Sequence, residues 1–158
     1  MKTSNLPKDP PKLIFTTPSH QFPTGVVLPV KRRIELIEYA RLHDSYIVED
    51  DYDSEFRFKG KPIESMQSLD KNHVIYVGTF SKIFIPSLRI GYMVLPDSLC
   101  NSIKNIKYID DIHSSVFKQL AMAKYIKEGL LDLHIKKMKA IYYRKRTKLI
   151  SALNEVFK

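Results

Sequence analysis

The chain has 158 residues, with 26 Lys+Arg against 17 Asp+Glu and a formal net charge of +9, and its length allows one domain of ordinary size. With 44% apolar and 27% charged residues it is composed like a globular protein, which excludes a disordered chain, a collagen-like repeat and, with a single cysteine at Cys100, a disulfide scaffold. No stretch approaches the roughly 18 uninterrupted apolar residues of a membrane span, and MKTSNLPKDPPK lacks the apolar run of a secretory signal, so no membrane association and a cytoplasmic address are expected.

Residues 1–11, with Pro7, Pro10 and Pro11, read as an irregular lead-in. Leu13, Ile14 and Phe15 form a short apolar run that ends in the loop PSHQFPTG, as a buried strand would. Pro29 suits the first position of a helix, and from Val30 to His43 the apolar residues Val30, Ile34, Ile37 and Ala40 recur at helical spacing between charges. Ser45–Val48 and His73–Val77 are further apolar runs, and strands separated by a helix pair in parallel through a right-handed crossover. A fourth run, Ile90–Leu95, follows the third too closely for a crossover and is expected to be its antiparallel neighbour. The pattern then turns helical: Asp97 or Ser98 is placed to cap one helix. From about Ser115, Phe117, Leu120, Ala121, Ile135, Met138, Tyr142, Leu149, Leu153 and Val156 recur on faces, with a break at Gly129. The expected class is α/β, a mostly parallel sheet with flanking helices leading into C-terminal helices. Residues 12–114 would form the sheet domain and 115–158 a helical segment.

The charge is unevenly placed. Residues 1–97 carry 13 basic and 12 acidic side chains (+1), and residues 98–158 carry 13 and 5 (+8). Residues 134–148 alone hold seven Lys/Arg and no acid, which raises a basic nucleic-acid-binding module as one reading. The helical reading is stronger: Ile135, Met138, Tyr142 and Leu149 would mark a buried face, with the cations on a solvated one. Cys100 has no Cys or His companion at metal-ligand spacing and reads as a structural thiol.

In an open parallel sheet, ligands bind at the carboxyl ends of the strands. Three unusual segments fall there: PSHQFPTG, the acidic run Glu49, Asp50, Asp51, Tyr52, Asp53, and GTFSKIFIPSLRIG from Gly78 to Gly91. An acidic run can hold Mg²⁺ or Ca²⁺, but its spacing fits no EF-hand loop and no phosphate loop accompanies it, so no metal site is assigned. Singly, Lys82 is a surface lysine and Arg89 an ion-pair partner. Together they form a set: an Asp and a Tyr after one strand, then hydroxyls, a Lys and an Arg after the next.

The segments TPSHQFPTG, VEDDYDSEFR and GTFSKIFIPSLRIGYMVLP, in that order, resemble the aminotransferase-like (class I/II) domain of fold-type I pyridoxal-phosphate proteins. The resemblance is greatest to MocR-type regulators of the GntR family, in which a winged-helix domain is fused to such a domain, and it runs from Pro10 to the end of the chain. It implies pyridoxal 5'-phosphate (PLP) as cofactor, with Lys82 as its Schiff-base lysine and the acid/base that moves a substrate proton. Asp50 would pair with the pyridinium nitrogen, which makes the ring an electron sink, and Tyr52 would donate to the 3'-oxygen. Thr79 and Ser81 would bond the phosphate, and Arg89 would clamp it.

One departure stands out. Aminotransferases commonly carry Asn-Pro-Thr-Gly in the first loop, and here Phe22 precedes Pro23, which leaves His20 or Gln21 to stand near the ring. By the same resemblance a whole domain is more than twice this long, so the chain reads as a truncated piece without the Gly-rich phosphate loop, the stacking aromatic and the carboxylate-binding arginine. The expected function is the effector-sensing part of a regulator, with a small amine or amino acid as ligand, a homodimer when complete, and DNA bound only through a winged helix absent from this chain. A genuine aminotransferase moving an amino group between an amino acid and a 2-oxo acid is the alternative, although the piece by itself is expected to be inactive.

Overall fold

The computed structural model describes residues 5–58, 60 and 63–157. Residues 1–4 of the expected lead-in, and Lys158, lie outside the described residues. The strands are β1 (Leu13–Thr16), β2 (Tyr46–Asp51), β3 (Val74–Thr79) and β4 (Gly91–Val94), in one sheet of order β1-β2-β3-β4. The first three run parallel, with Ile14 opposite Ile47 and Val48 opposite Ile75, and β4 runs antiparallel to β3, with Gly78 opposite Tyr92. This is the expected architecture. Helix α1 (Val30–Leu42) makes the β1–β2 crossover and the short α2 (Met66–Leu69) precedes β3. Between β3 and β4 lie only α3 (Phe80–Ile83) and a 3₁₀ turn at Pro86–Leu88, a connection that returns the chain antiparallel.

The core lies on the α1 face of the sheet, where Leu28, Leu36, Ile37, Ala40, Ile47, Met66 and Val74 pack together with Leu6 and Ile14 against them. The buried stripe of α1 is Arg33, Leu36, Ile37 and Ala40: the predicted Ile37 and Ala40 belong to it, whereas the predicted Val30 and Ile34 are 50% and 45% exposed. Arg33 takes the core position because its guanidinium finds polar partners there, which no apolar count of the sequence registers.

Helix α4 (Asp97–Asp111) begins one residue earlier than a cap at Asp97 or Ser98 would place it: Pro96 holds the capping position and no side chain caps it. Asp97 is instead the first helical residue, favourable by charge at a helix N-terminus. Helices α5 (Val116–Lys127) and α6 (Leu130–Val156) are separated by Gly129, whose left-handed φ of 71° turns the chain where the sequence predicted a break. Residues Ile135, Met138 and Tyr142 of α6 are half-buried. The predicted face does not continue: Leu149, Leu153 and Val156 of α6 are exposed, and on α5 Phe117 and Leu120 are exposed as well.

Candidate functional site

Strand β2 extends through Asp51, so the acidic run belongs largely to the strand and the pleat sorts it. Ile47, Glu49 and Asp51 are buried on the α1 side, whereas Val48 and Asp50 point to the other face. Glu49 accepts hydrogen bonds from the backbone N–H groups of Met66 and Gln67 at 2.9 and 3.0 Å, at the start of α2, and lies 3.7 Å from the guanidinium of Arg33. Both side chains are 1% exposed. Arg33 also donates to the carbonyls of Pro18, Leu28 and Glu64, at 3.0, 3.0 and 2.9 Å. It thereby holds both ends of the loop after β1. Burial pushes the Glu49 carboxyl up and the Arg33 guanidinium down from their ordinary values, the cost of desolvating each charge.

Asp51 accepts from the hydroxyls of Ser54 (2.7 Å) and Tyr76 (2.9 Å). Burial, with Asp51 nearby, drives the Tyr76 phenol strongly up, so it serves as a neutral donor. The Tyr92 ring covers Gly78: a Cβ there would come 2.4 Å from the ring's Cζ, so only glycine fits beneath that ring.

On the opposite face, at the carboxyl ends of β1, β2 and β3, an open cleft of about 480 Å³ is lined by Phe15, Thr16, Thr17, Gln21, Phe22, Asp50, Tyr52 and Lys82. That volume is in the range of small-molecule sites, roughly 300–1,000 Å³. Burial, and then the neighbouring Asp51, raise the Asp50 carboxyl, so a cation in the cleft would favour its ionised form. The Tyr52 hydroxyl donates to the His20 carbonyl at 2.9 Å, and burial raises its phenol, which keeps it neutral. His20 turns away from the cleft onto Asp53, Nδ1 to Oδ1 2.8 Å, whereas Gln21 lines it, so of the two candidates beside Phe22 it is Gln21 that faces the ligand space. The Thr17 hydroxyl is buried without a hydrogen-bond partner among the described residues.

Of the residues predicted from sequence, the fold thus brings Asp50, Tyr52 and Lys82 to one cleft. Thr79, Ser81 and Arg89 are not among its lining residues. The Thr79 hydroxyl is occupied: it accepts from the Ser81 N–H at 3.1 Å, capping α3, and donates to the Ile90 carbonyl at 3.3 Å. Ser81 is buried, and Arg89 is exposed in a left-handed conformation (φ 52°) after the Pro86–Leu88 turn. Among the described residues no three His, Cys, Asp or Glu are placed to hold a metal ion, and none of the helices is long and apolar enough to cross a membrane. Arg33 and the Glu49 clasp were not singled out from the sequence; the strict alternation of β2 is the signal that separates Glu49 and Asp51 from Asp50.

A parallel sheet with one antiparallel edge, carrying a lysine, an aspartate and a tyrosine at its strand ends, defines an α/β domain of the aminotransferase type, and comparison with known proteins agrees. The model of aminotransferase class I and II matches residues 3–157, and the chain belongs to that family. It is 44% identical over 144 residues to the HTH-type transcriptional regulator YdeL of Bacillus subtilis, covering 90% of this chain and 31% of YdeL. It is likewise 44% identical to the probable rhizopine catabolism regulatory protein MocR of Rhizobium meliloti, over 90% of this chain and 29% of MocR. A kynurenine aminotransferase from Pyrococcus horikoshii, solved in complex with PMP, superposes with a TM-score of 0.87 at 35% identity, over 92% of this chain and 36% of that one. The chain therefore spans about a third of the length of these relatives.

Proposed function

We propose that this chain supplies the lysine side of a PLP site and that the site belongs to the effector-sensing domain of a MocR-type regulator. The observation that carries the reading is the meeting of Lys82, Asp50 and Tyr52 in one cleft at the strand ends. The residues suit the cofactor: an exposed amine, a half-buried carboxyl whose ionised form needs a cationic neighbour, a neutral phenol donor, and Thr17, which lines the cleft with its hydroxyl unpaired.

Bound there, PLP supplies an electron-withdrawing ring that stabilises negative charge on an amine's α-carbon. Lys82 would hold it through its Nζ and, once released, would take up or return a proton at that atom. Asp50 would keep the ring nitrogen protonated, and Tyr52 would donate to the ring oxygen by turning its single hydroxyl proton from the His20 carbonyl. Thr79, Ser81 and Arg89 would provide for the phosphate, with Arg89 turning in from its exposed position. The wider partnership, a homodimer bound to DNA through a winged helix, rests on the kinship with regulators of that name.

The test is borohydride reduction of the chain with PLP followed by peptide mapping. Label on Lys82, lost in Lys82→Ala, is expected; label spread over other lysines would remove Lys82 from the role. The second reading, an aminotransferase, is supported by 37% identity to aromatic-amino-acid aminotransferase 1 of Thermococcus litoralis. Multiple-turnover assay with amino donors and 2-oxo acids separates the two. Sustained turnover at about 1 per second or faster would favour the enzyme.

A further inference from the structure

Lys82 rides on α3, a helix of four residues, and so short a helix has too few internal bonds to hold its own shape. Its support comes from either end. Before the lysine, the Thr79 hydroxyl accepts from the Ser81 N–H and the Phe80 N–H donates to the Ile90 carbonyl at 3.0 Å, so the start of the turn is tied to the β3–β4 unit. Ser81 and Ile83 are buried, and Lys82 between them is exposed along the cleft. After the lysine, the Phe84 N–H closes the turn on the Phe80 carbonyl at 2.9 Å. The Phe84 ring meets two others: Tyr125 of α5, with centroids 4.8 Å apart, and His134 of α6, at 5.2 Å with the planes at 81°. All three rings are half-buried. The half-buried stripe along the first part of α6 is Leu131, His134, Ile135, Met138, Ile141 and Tyr142, and of these six His134 is the one that an apolar pattern does not call for. An imidazole there offers what an aliphatic side chain lacks, an edge-to-face contact that depends on direction as well as distance.

We propose that His134 is a positioning residue for Lys82: through the Phe84 ring it fixes the turn that presents the lysine to the cleft. That the lysine then carries PLP rests on the reading above; the fixing of the turn does not. A contact at 81° holds the Phe84 ring in plane as well as in place, so the bond from Phe84 to Phe80 that closes the turn keeps one geometry. With its main chain fixed, Lys82 has only side-chain rotamers to lose when its amine meets a carbonyl. No residue of α5 or α6 lines the cleft, so what the C-terminal helices contribute there is a constraint and not a contact with the ligand.

Two measurements on the whole chain test this. The first needs no cofactor: exchange of the Phe84 amide hydrogen for deuterium, read by NMR, reports opening of the turn. His134→Leu, which keeps an apolar filler and removes the ring edge, is expected to speed that exchange about twofold to tenfold, the worth of one edge-to-face contact, and His134→Phe, which keeps a ring, is expected to restore it. The second is the dissociation constant of the imine between PLP and Lys82, followed by its visible absorption. It is expected to rise by a similar factor in His134→Leu and to recover in His134→Phe. Asp70→Asn, at the opposite end of β3 from Lys82, is the control: it is expected to lower the urea midpoint and leave both readings as in the parent. Unchanged exchange in His134→Leu, a change that His134→Phe does not recover, or an equal change in Asp70→Asn would overturn the proposal. The two readings fail separately. An imine of equal strength in parent and His134→Leu removes the positioning role and keeps PLP, whereas ring-dependent exchange in a parent that forms no imine upholds the fixing of the turn and removes the PLP reading.

Discussion

Replacing Arg33 with methionine tests whether the loop after β1 is held from inside the core. A buried ion pair exchanged for apolar side chains of similar volume is often neutral or stabilising, because desolvating the charges offsets their attraction. That outcome is not expected here. Arg33 donates to three backbone carbonyls as well as facing Glu49, so Arg33→Met would leave the Pro18, Leu28 and Glu64 carbonyls short of a donor and the Glu49 carboxylate without a cation. Breaking one side of a buried pair costs about 3–5 kcal/mol. Each carbonyl left wanting adds about 1–3 kcal/mol at most, reduced wherever another donor remains, as the Leu28 N–H does for Pro18 at 2.9 Å.

The expected loss for Arg33→Met is therefore at least about 3 kcal/mol, a large share of the roughly 5–15 kcal/mol that stabilises an ordinary domain. Urea unfolding followed by far-UV circular dichroism measures it, with Lys31→Met, an exposed change on the same helix, as the control expected within about 0.5 kcal/mol of the parent. Glu49→Gln should also destabilise, since an amide presents an N–H₂ where the Met66 and Gln67 N–H groups require an acceptor. A change in Arg33→Met of less than about 1 kcal/mol would refute the reasoning, because it would mean that the carbonyls find other donors at no cost.

Asp70→Asn is expected to cost about 1–3 kcal/mol at neutral pH, measured by the same unfolding assay. Burial raises the Asp70 carboxyl, but the Arg41 hydrogen bond at 2.6 Å and the N–H groups of Asn72 and His73 outweigh it and hold it below the usual carboxylate range. A lowered acid contributes stability above its unfolded value and loses it as pH falls through the folded one, so the gap between parent and variant should close in acid. Gly78→Ala, forcing a methyl into the Tyr92 ring, should cost about 1–3 kcal/mol, and adding Tyr92→Ala should recover part of it; a strictly additive pair would contradict the contact. In chain that binds PLP, Asp50→Asn should weaken retention about tenfold or more without moving the urea midpoint by much, and unchanged retention on equilibrium dialysis would remove Asp50 from the ring nitrogen.

What the sequence made legible was the period of the elements and the order of the motifs. The runs at Leu13, Ser45, His73 and Ile90 became the four strands, and the short link before Ile90 foretold the antiparallel edge. The α1 face was legible at Ile37 and Ala40 and missed at Arg33, because hydropathy cannot show that Arg33 has buried partners; that depends on carbonyls contributed from positions 18, 28 and 64. The α6 face was overextended because periodicity reports a helix's apolar stripe and not what lies opposite it, so Leu149 and Leu153 follow the pattern without a partner in the described residues. Lys82, Asp50 and Tyr52, which the fold brings to one cleft, were singled out by motif. The half-burial of Arg146 was not legible, since its seven-cation segment looks uniform until Tyr142 is seen to rest on Phe56.

The run EDDYD shows how one strand serves two tasks. Because successive side chains of β2 face opposite ways, Glu49 and Asp51 hold the Arg33 clasp and the Tyr76–Ser54 bonds, whereas Asp50 faces the cleft and Tyr52, just past the strand, lines it with its hydroxyl on the loop. The clasp fixes that loop through Pro18 and Leu28, so the rim of the cleft is held by the same buried guanidinium. Such a division separates the residues that face the cleft from those that hold the fold. A regulator and an aminotransferase therefore both match this scaffold, since the fold is carried by the residues on the α1 side and leaves the strand-end cleft to set what each one does.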